Sequence, residues 1–402
     1  MEKKSIYIFQ RSLRLHDNLG LIQALKESDK VYPVFCVDPR QAIPKKNSYF
    51  SKFALGFMYQ SLLDLDKELK RIGSKLYILY GEPHLRLREL LIKYKITSIY
   101  INEDYTPFAK KRTAELKRLT TTTPHKCDLI EVFDYLLFKP KSILNGSGKA
   151  YRVYTPFLKK TESKKVKNPI PCLFYSKFAK SFPTDLKAWS VLKKNSRYSP
   201  SYSPGGRTEA LKRLKLLPGS QKDYSKCRNY LSYKSSNLSA YIKFGCISIR
   251  EAWKAFSKIT GTSGKDLQKQ LIWREFYYHM YFFFPKQLEW DKDPIEAKLS
   301  SKAPDIVKAC FNQLKQEGYI SNRSRMILAN WLLHNQKVYW KNCDKMYAKL
   351  LVDYDPIVNI GNWKWILKQP KFRWLKPEVQ AKRWDVNCLD KKEKNAYTQK
   401  YT

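Results

Sequence analysis

Val31-Tyr32-Pro33-Val34-Phe35-Cys36-Val37 is followed by an apolar stripe at Leu55, Met58, Tyr59, Leu62, Leu65 and Leu69, and then by Leu76-Tyr77-Ile78-Leu79-Tyr80. The two outer runs are short, apolar and rich in β-branched and aromatic residues, as strands buried on both faces of a parallel sheet are. The middle stretch repeats every three to four residues and predicts a helix with one apolar face. Strand, helix and strand in succession are the unit of a doubly wound α/β domain. Working outward, residues 5–9, 99–101 and 129–133 read as further strands of the same kind. Neither GxGxxG nor GxxxxGK[ST] follows any of them, so a ligand carried by this sheet is held by other means than a dinucleotide fingerprint or a P-loop.

From about residue 120 the periodicity fades into Lys, Ser, Thr and Pro, with turns expected at Asn145-Gly146-Ser147-Gly148 and Ser203-Pro204-Gly205-Gly206. Beyond Thr208 the strand signal disappears. Mixed aromatic and aliphatic segments at 209–216, 238–244, 249–256, 267–283, 305–317, 324–333 and 341–351 predict helices. The expected division is an α/β domain over residues 1–122, a connector over 123–206 and an all-helical domain over 207–402. There is no internal repeat.

The chain carries 77 Lys plus Arg against 36 Asp plus Glu, a formal charge of +41. Such a field concentrates phosphate-bearing partners, nucleic acid first among them. An A+T-rich coding sequence would also yield many lysines, so the charge supports a nucleic-acid partner without establishing one. The eight cysteines never form a CxxC pair, and only five histidines are present, so neither a metal site nor a disulfide framework is expected. No cationic leader with an apolar core opens the chain, and the longest apolar run, around residues 276–284, is too short to span a bilayer. The expectation is a soluble, intracellular protein without a membrane partner.

Seven of the ten tryptophans lie at or beyond Trp290: Trp290, Trp331, Trp340, Trp363, Trp365, Trp374 and Trp384. An aromatic core alone would account for them. Their company is more telling: Asn322-Arg323-Ser324-Arg325-Met326, Asp353-Tyr354-Asp355, and Asn359-Ile360-Gly361-Asn362-Trp363-Lys364-Trp365. Charges embedded among aromatics must be paired or must serve a ligand. Together with the opening Ile8-Phe9-Gln10-Arg11-Ser12-Leu13-Arg14-Leu15-His16-Asp17-Asn18 and with Gln270-Leu271-Ile272-Trp273-Arg274-Glu275-Phe276, these blocks resemble the photolyase and cryptochrome family over nearly the whole length. The resemblance implies an α/β antenna domain, a long connector and a helical domain that holds FAD.

Carried over residue by residue, the resemblance places the flavin at Tyr224, Ser235, Ser236, Leu238 and Ser239, with Gln270 and Arg274 beside it and Arg325, Asp353, Asp355 and Asn359 around the ring system. Read alone, the Ser-rich segment is an ordinary helix cap, and Arg325 with Asp353 an ordinary buried ion pair. Asn237 stands where several repair relatives have a basic residue. The amide of Asn359 can offer either an acceptor or a donor to flavin N5 and so suits the reduced cofactor.

The implied activity is light-driven repair of ultraviolet-damaged DNA by a monomeric enzyme, with reduced FAD as electron donor. Trp273 and Trp365 would wall the pocket for the flipped lesion, with Asn322, Met326 and Gln270 lining it. Arg323 and Arg373 would contact phosphates, and Trp363, Trp340 and Trp290 would feed electrons to the flavin. Relatives acting on the (6-4) photoproduct carry histidines at the positions of Asn322 and Met326, so these two residues point to cyclobutane dimers. Gln270 in place of a common Glu, and Ser321-Asn322-Arg323, leave room for single-stranded substrates and for a photoreceptor role. Asn102-Glu103-Asp104-Tyr105-Thr106-Pro107-Phe108-Ala109 resembles segments beside a second, antenna chromophore, more of the deazaflavin than of the folate type.

Overall fold

The computed structural model describes residues 2–288, 294–367, 376–389 and 393–402. Trp290 and Arg373, both named above, lie outside the described residues. The strand runs become β1 (Lys4–Ile8), β2 (Lys30–Val37), β3 (Tyr77–Tyr80), β4 (Ser98–Asn102) and β5 (Asp128–Val132). Among the described residues they form one parallel sheet in the order β3-β2-β1-β4-β5, with Ile6 opposite both Tyr32 and Ile99. Between the strands run α1 (Leu19–Glu27), α2 (Lys52–Arg71), α3 (Pro83–Lys93) and α4 (Pro107–Thr121). The stripe from Leu55 to Leu69 is the buried side of α2, whose first turn is capped by the Ser51 hydroxyl accepting from the Ala54 amide.

Side chains on the sheet alternate between two cores. Tyr7, Phe35 and Tyr100 pack with Leu21 and Leu25 of α1 and Leu62 and Leu65 of α2. Ile6, Val34, Leu79 and Ile99 pack with Leu87 and Leu91 of α3 and Leu116 and Leu119 of α4. Both faces are covered, which is why the strands read as continuous apolar runs. Strand order reverses between β1 and β4, so the crevice beyond their carboxyl ends is the natural ligand position of the sheet.

The sheet continues past residue 122, because β5 pairs with β4 along its length. The connector also returns to the sheet: the Ala179 amide donates to the Val31 carbonyl (2.8 Å), and the Asp185 amide to that of Ile78 (2.7 Å). It contributes α5 (Tyr154–Glu162) and α6 (Leu186–Asn195), the second packed on α2. Beyond it lie α7 (Ser239–Lys243), α8 (Ile249–Phe256), α9 (Gly261–Phe283), α10 (Asp305–Glu317), α11 (Asn322–Asn330), α12 (Trp340–Leu350) and α13 (Pro356–Leu367). The helix expected over 324–333 begins with α11 and continues as a π-helical turn over Trp331–Asn335. α13 holds the stretch from Asn359 to Trp365, where sequence periodicity shows no helix.

The two domains are joined by a buried ionic network. Arg14 donates to Asp134 (2.6 Å), and Arg250 donates to Asp134 (2.7 Å) and to Asp17 (2.8 Å). Arg14, Asp17 and Asn18 of the opening block are therefore structural, and each is at most 2 % exposed. One expectation is corrected. Cys227 and Cys388, 161 residues apart, form a disulfide. The Leu231 amide donates to the Trp384 carbonyl (3.0 Å) and helps bring the two segments together, an apposition no cysteine spacing could signal. Among the described residues no helix is long and apolar enough to cross a membrane.

Candidate functional site

A cavity of about 710 Å³ opens among α7, α9, α11 and α13. Tyr224, Ser235, Ser236, Leu238 and Ser239 line one end, as do Asn237 and Tyr319. Asn237 has φ of 47°, a left-handed turn that Asn tolerates better than most residues and that leads into α7. The Ser239 hydroxyl is turned toward Asp353, to which it donates at 2.6 Å, and it shares a hydrogen bond with the Tyr202 hydroxyl (2.8 Å). Ser235 and Ser236 line the same cavity, and the Ser235 hydroxyl makes only long bonds, to Asn237 Oδ1 (3.5 Å) and with the Tyr319 hydroxyl (3.4 Å).

Arg325 projects from α11 and reaches both oxygens of Asp353 through Nη2, at 2.9 and 2.8 Å, while Nε donates to the Ile320 carbonyl (3.1 Å). The pair is thus bidentate on the carboxylate side, and Arg325 Nη1 has no protein partner among the described residues. Asp355 lies deeper. It accepts from Arg11, from the Tyr278 hydroxyl (2.7 Å) and from the Tyr135 hydroxyl (3.1 Å). Burial alone would raise its pKa, but Arg11 and Arg274, with the Tyr278 hydroxyl, outweigh that and hold the carboxyl down at about 2. It is a fixed anion at neutral pH.

Asn359 points into the cavity from α13, and its Nδ2 donates to Asp344 of α12. Asp344 is itself held by the Tyr354 hydroxyl (2.8 Å). The amide is thereby oriented with its Oδ1 left for the cavity. α13 approaches α9 closely because residue 361 is glycine: a Cβ there would lie 2.3 Å from the Tyr277 ring. The Tyr277 hydroxyl then donates to Asn362 (3.0 Å).

The other wall carries the residues assigned to the lesion. Gln270, Trp273 and Arg274 of α9, Asn322, Arg323 and Met326 of α11, and Trp363 and Trp365 of α13 all line the cavity. Asn322 and Met326 are one turn apart, with Nδ2 3.7 Å from the sulfur. Arg274 lies over the Tyr135 ring at 4.0 Å and donates to the Tyr135 carbonyl (3.2 Å), so its charge is positioned by the connector. Arg323 donates to Asn229 (2.7 Å); burial first, then Arg383 and Arg228, hold its pKa down at about 10, and Arg228 lines the cavity with it. Trp363 is buried against Tyr347, and its indole Nε1 has no partner among the described residues. Trp340 opens α12 and packs beside the apolar clusters under the cavity without lining it.

Several residues at the site carry no singled-out role in the sequence reading. Arg11 and Asp344 are two, and Lys243 is a third. Lys243 lines this cavity and a second one, donates to the Val352 carbonyl (3.1 Å), and is pushed down to about 7 by burial and then by Arg11. The second cavity, about 490 Å³, lies beyond the carboxyl ends of β1, β2 and β4 and includes Asp104, Thr106, Pro107, Phe108 and Ala109 of the antenna-like segment. Gln10 Nε2 and Arg112 Nε are buried there without partners among the described residues. The quoted opening block could have flagged Arg11; nothing in the pattern singles out Asp344 or Lys243.

The cavity's size, its unpartnered Trp363 indole N–H, the Arg325–Asp353 pair and the hydroxyls that line it fit a long cofactor with a phosphate segment and a polar ring system. Comparison with known proteins agrees. Residues 5–174 match the DNA photolyase family, and residues 267–389 match the FAD binding domain of DNA photolyase. A deoxyribodipyrimidine photo-lyase of Synechococcus is 28% identical over 421 residues, covering 95% of this chain and 86% of the relative. The (6-4)DNA photolyase of Arabidopsis thaliana is 28% identical, covering 90% of this chain and 72% of that protein. An archaeal photolyase from Sulfolobus tokodaii, solved with two FAD molecules, superposes with a TM-score of 0.80 at 32% identity, covering 95% of this chain and 87% of that one. The chain belongs to the photolyase/cryptochrome family, and its helical domain is the family's FAD-binding domain.

Proposed function

We propose that this protein repairs cyclobutane pyrimidine dimers in DNA, using light and reduced FAD. The observation that carries the reading is the lesion wall: Asn322 and Met326 face the cavity between Trp273 and Trp365, and among the described residues no histidine lines it. A (6-4) lesion needs a proton donor at that wall, whereas a dimer needs apolar surface and amides to hold the base edges. The similarity to relatives named deoxyribodipyrimidine photo-lyase supports the same substrate.

Bound FAD supplies the chemistry of the reaction: a light-excited electron lent to the dimer and returned after the ring opens. The residues provide position and charge. Ser235 and Ser236 offer hydroxyls to the phosphate segment, Arg325 offers Nη1 to the ring system, and Asn359 offers Oδ1 to a reduced N5. The neighbouring Asp353 and Asp355 are neutralised by Arg325 and by Arg11, so the pocket accepts an anionic cofactor without an unpaired carboxylate. Trp273 and Trp365 exclude water and offer ring faces to the flipped bases. Trp363 and Trp340, on adjoining helices, supply a route for reducing electrons from the surface. The second cavity, with its buried Gln10 and Arg112 donors, suits an antenna chromophore bearing carbonyl or anionic groups; the Sulfolobus tokodaii protein's two FAD molecules favour a flavin there.

Illuminating the reduced, purified protein with dimer-containing oligonucleotides tests the reading. Recovery of thymine absorbance is expected on single-stranded, double-stranded or both substrates. No recovery on either would sink it, and recovery confined to (6-4) oligonucleotides would transfer the activity to the other lesion, which the Arabidopsis similarity keeps as the second reading.

A further inference from the structure

The connector contributes a side chain to the lesion wall. Tyr154, the first residue of α5, lines the cavity, and its ring lies parallel to Trp273 with centroids 3.5 Å apart and an interplanar angle of 8°. Its hydroxyl donates to the Lys269 carbonyl (3.1 Å), and its ring meets Phe276 edge-on at 5.9 Å. At 3.6 residues per turn, Gln270, Arg274 and Tyr277 share one face of α9, while Lys269 and Phe276 flank Trp273 on the opposite side. Tyr154 touches both flanking residues. It therefore stacks on Trp273 from the side of Lys269 and Phe276, itself lining the same cavity.

We propose that Tyr154 is a positioning residue for lesion recognition: it stacks on Trp273 at 3.5 Å and, with the Tyr277 ring at 5.7 Å, fixes the plane of the indole that a flipped pyrimidine would meet. An indole held by no neighbouring ring would have to give up side-chain freedom each time a base stacked on it. The parallel Tyr154 ring settles that orientation in advance, and the bond to the Lys269 carbonyl fixes the Tyr154 ring in turn. The hydroxyl is the lesser part of the device, since the stacking surface is the ring.

This inference rests on Trp273 being a lesion wall, so the experiment separates the two. Binding of the full-length, flavin-loaded protein to oligonucleotides with and without a dimer is measured for wild type, Tyr154→Ala and Tyr154→Phe, with flavin content recorded for each. Tyr154→Ala is expected to bind dimer DNA roughly three- to tenfold more weakly, with undamaged-DNA affinity and flavin content unchanged. Tyr154→Phe, which keeps the ring, is expected to restore most of the discrimination. A wild type that does not prefer dimer DNA overturns the lesion-wall reading and this role with it. A discriminating wild type overturns the role of Tyr154 alone if Tyr154→Ala discriminates equally well, or if Tyr154→Phe is as impaired as Tyr154→Ala. Equal loss on damaged and undamaged DNA, or loss of flavin, also overturns it, because either would make Tyr154 a support of the fold.

Discussion

Asn359 offers one defined atom to the cavity only because Asp344 accepts from its Nδ2. An unrestrained amide can flip, presenting a donor as readily as an acceptor. Asp344→Ala should therefore leave flavin content near wild type while the reduced cofactor re-oxidises several-fold faster in air, and Asp344→Glu should fall between the two. Unchanged re-oxidation, followed by absorbance after photoreduction, would show that Asp344 does not set the amide. At this scale the sequence was legible where residues sit in blocks: Arg325, Asp353, Asp355, Asn359 and Gln270 all line one cavity. It was not legible for partners brought together from distant segments. Asp344 lies in a helix with many polar residues and looks like one more solvated position, yet it is 1% exposed. Arg11 meets Asp355 across 344 residues of chain.

The helices over 249–256 and 305–317 end where their apolar periodicity ends, because each buries one face and wets the other. α13 does not. It buries Ile357, Asn359, Ile360, Trp363 and Ile366 on one side, but Val358 and Trp365 on the other side line the cavity, so apolar residues run round the helix and no single stripe marks it. What fixes α13 is close approach to α9 at Gly361. Gly361→Ala places a methyl group against the Tyr277 ring, and since that ring is packed beside Trp273 it cannot retreat freely. The substitution should cost about 1–3 kcal/mol, lowering Tm and weakening flavin retention, although Ala is the better helix former. A rise in Tm would mean that the helices separate easily and that the close contact is incidental. The connector was illegible for a related reason: its short helices contribute single residues, Tyr154 among them, to surfaces built mostly by others.

Across the molecule, Arg14, Asp17, Asp134 and Arg250 lock the α/β and helical domains together, and Asp355 adds a second tie through Arg11. The doubly wound sheet and the helical domain were both readable from period alone, whereas these ties required the chain to be folded. The formal charge of +41 is the one whole-chain quantity whose role the sequence leaves open, since codon bias alone would produce an excess of lysine. Salt dependence decides it. Phosphate contacts release counterions, so a footprint of about six phosphates should weaken binding roughly a thousandfold between about 50 and 200 mM salt. On the proposed reading, Arg228 and Arg323 at the cavity, with Arg383 close to Arg323, would make such contacts on damaged and undamaged DNA alike. On the same reading, Trp273, Trp365, Asn322 and Met326 would discriminate by stacking and hydrogen bonds inside the cavity that they line, which are screened little. Absolute affinity should therefore fall steeply with salt while the ratio between dimer and undamaged DNA stays nearly constant, as fluorescence anisotropy at several salt concentrations would show. A flat salt response would make the charge compositional. A ratio that collapses with salt would place recognition of the lesion on the arginines and take it away from the stacking residues.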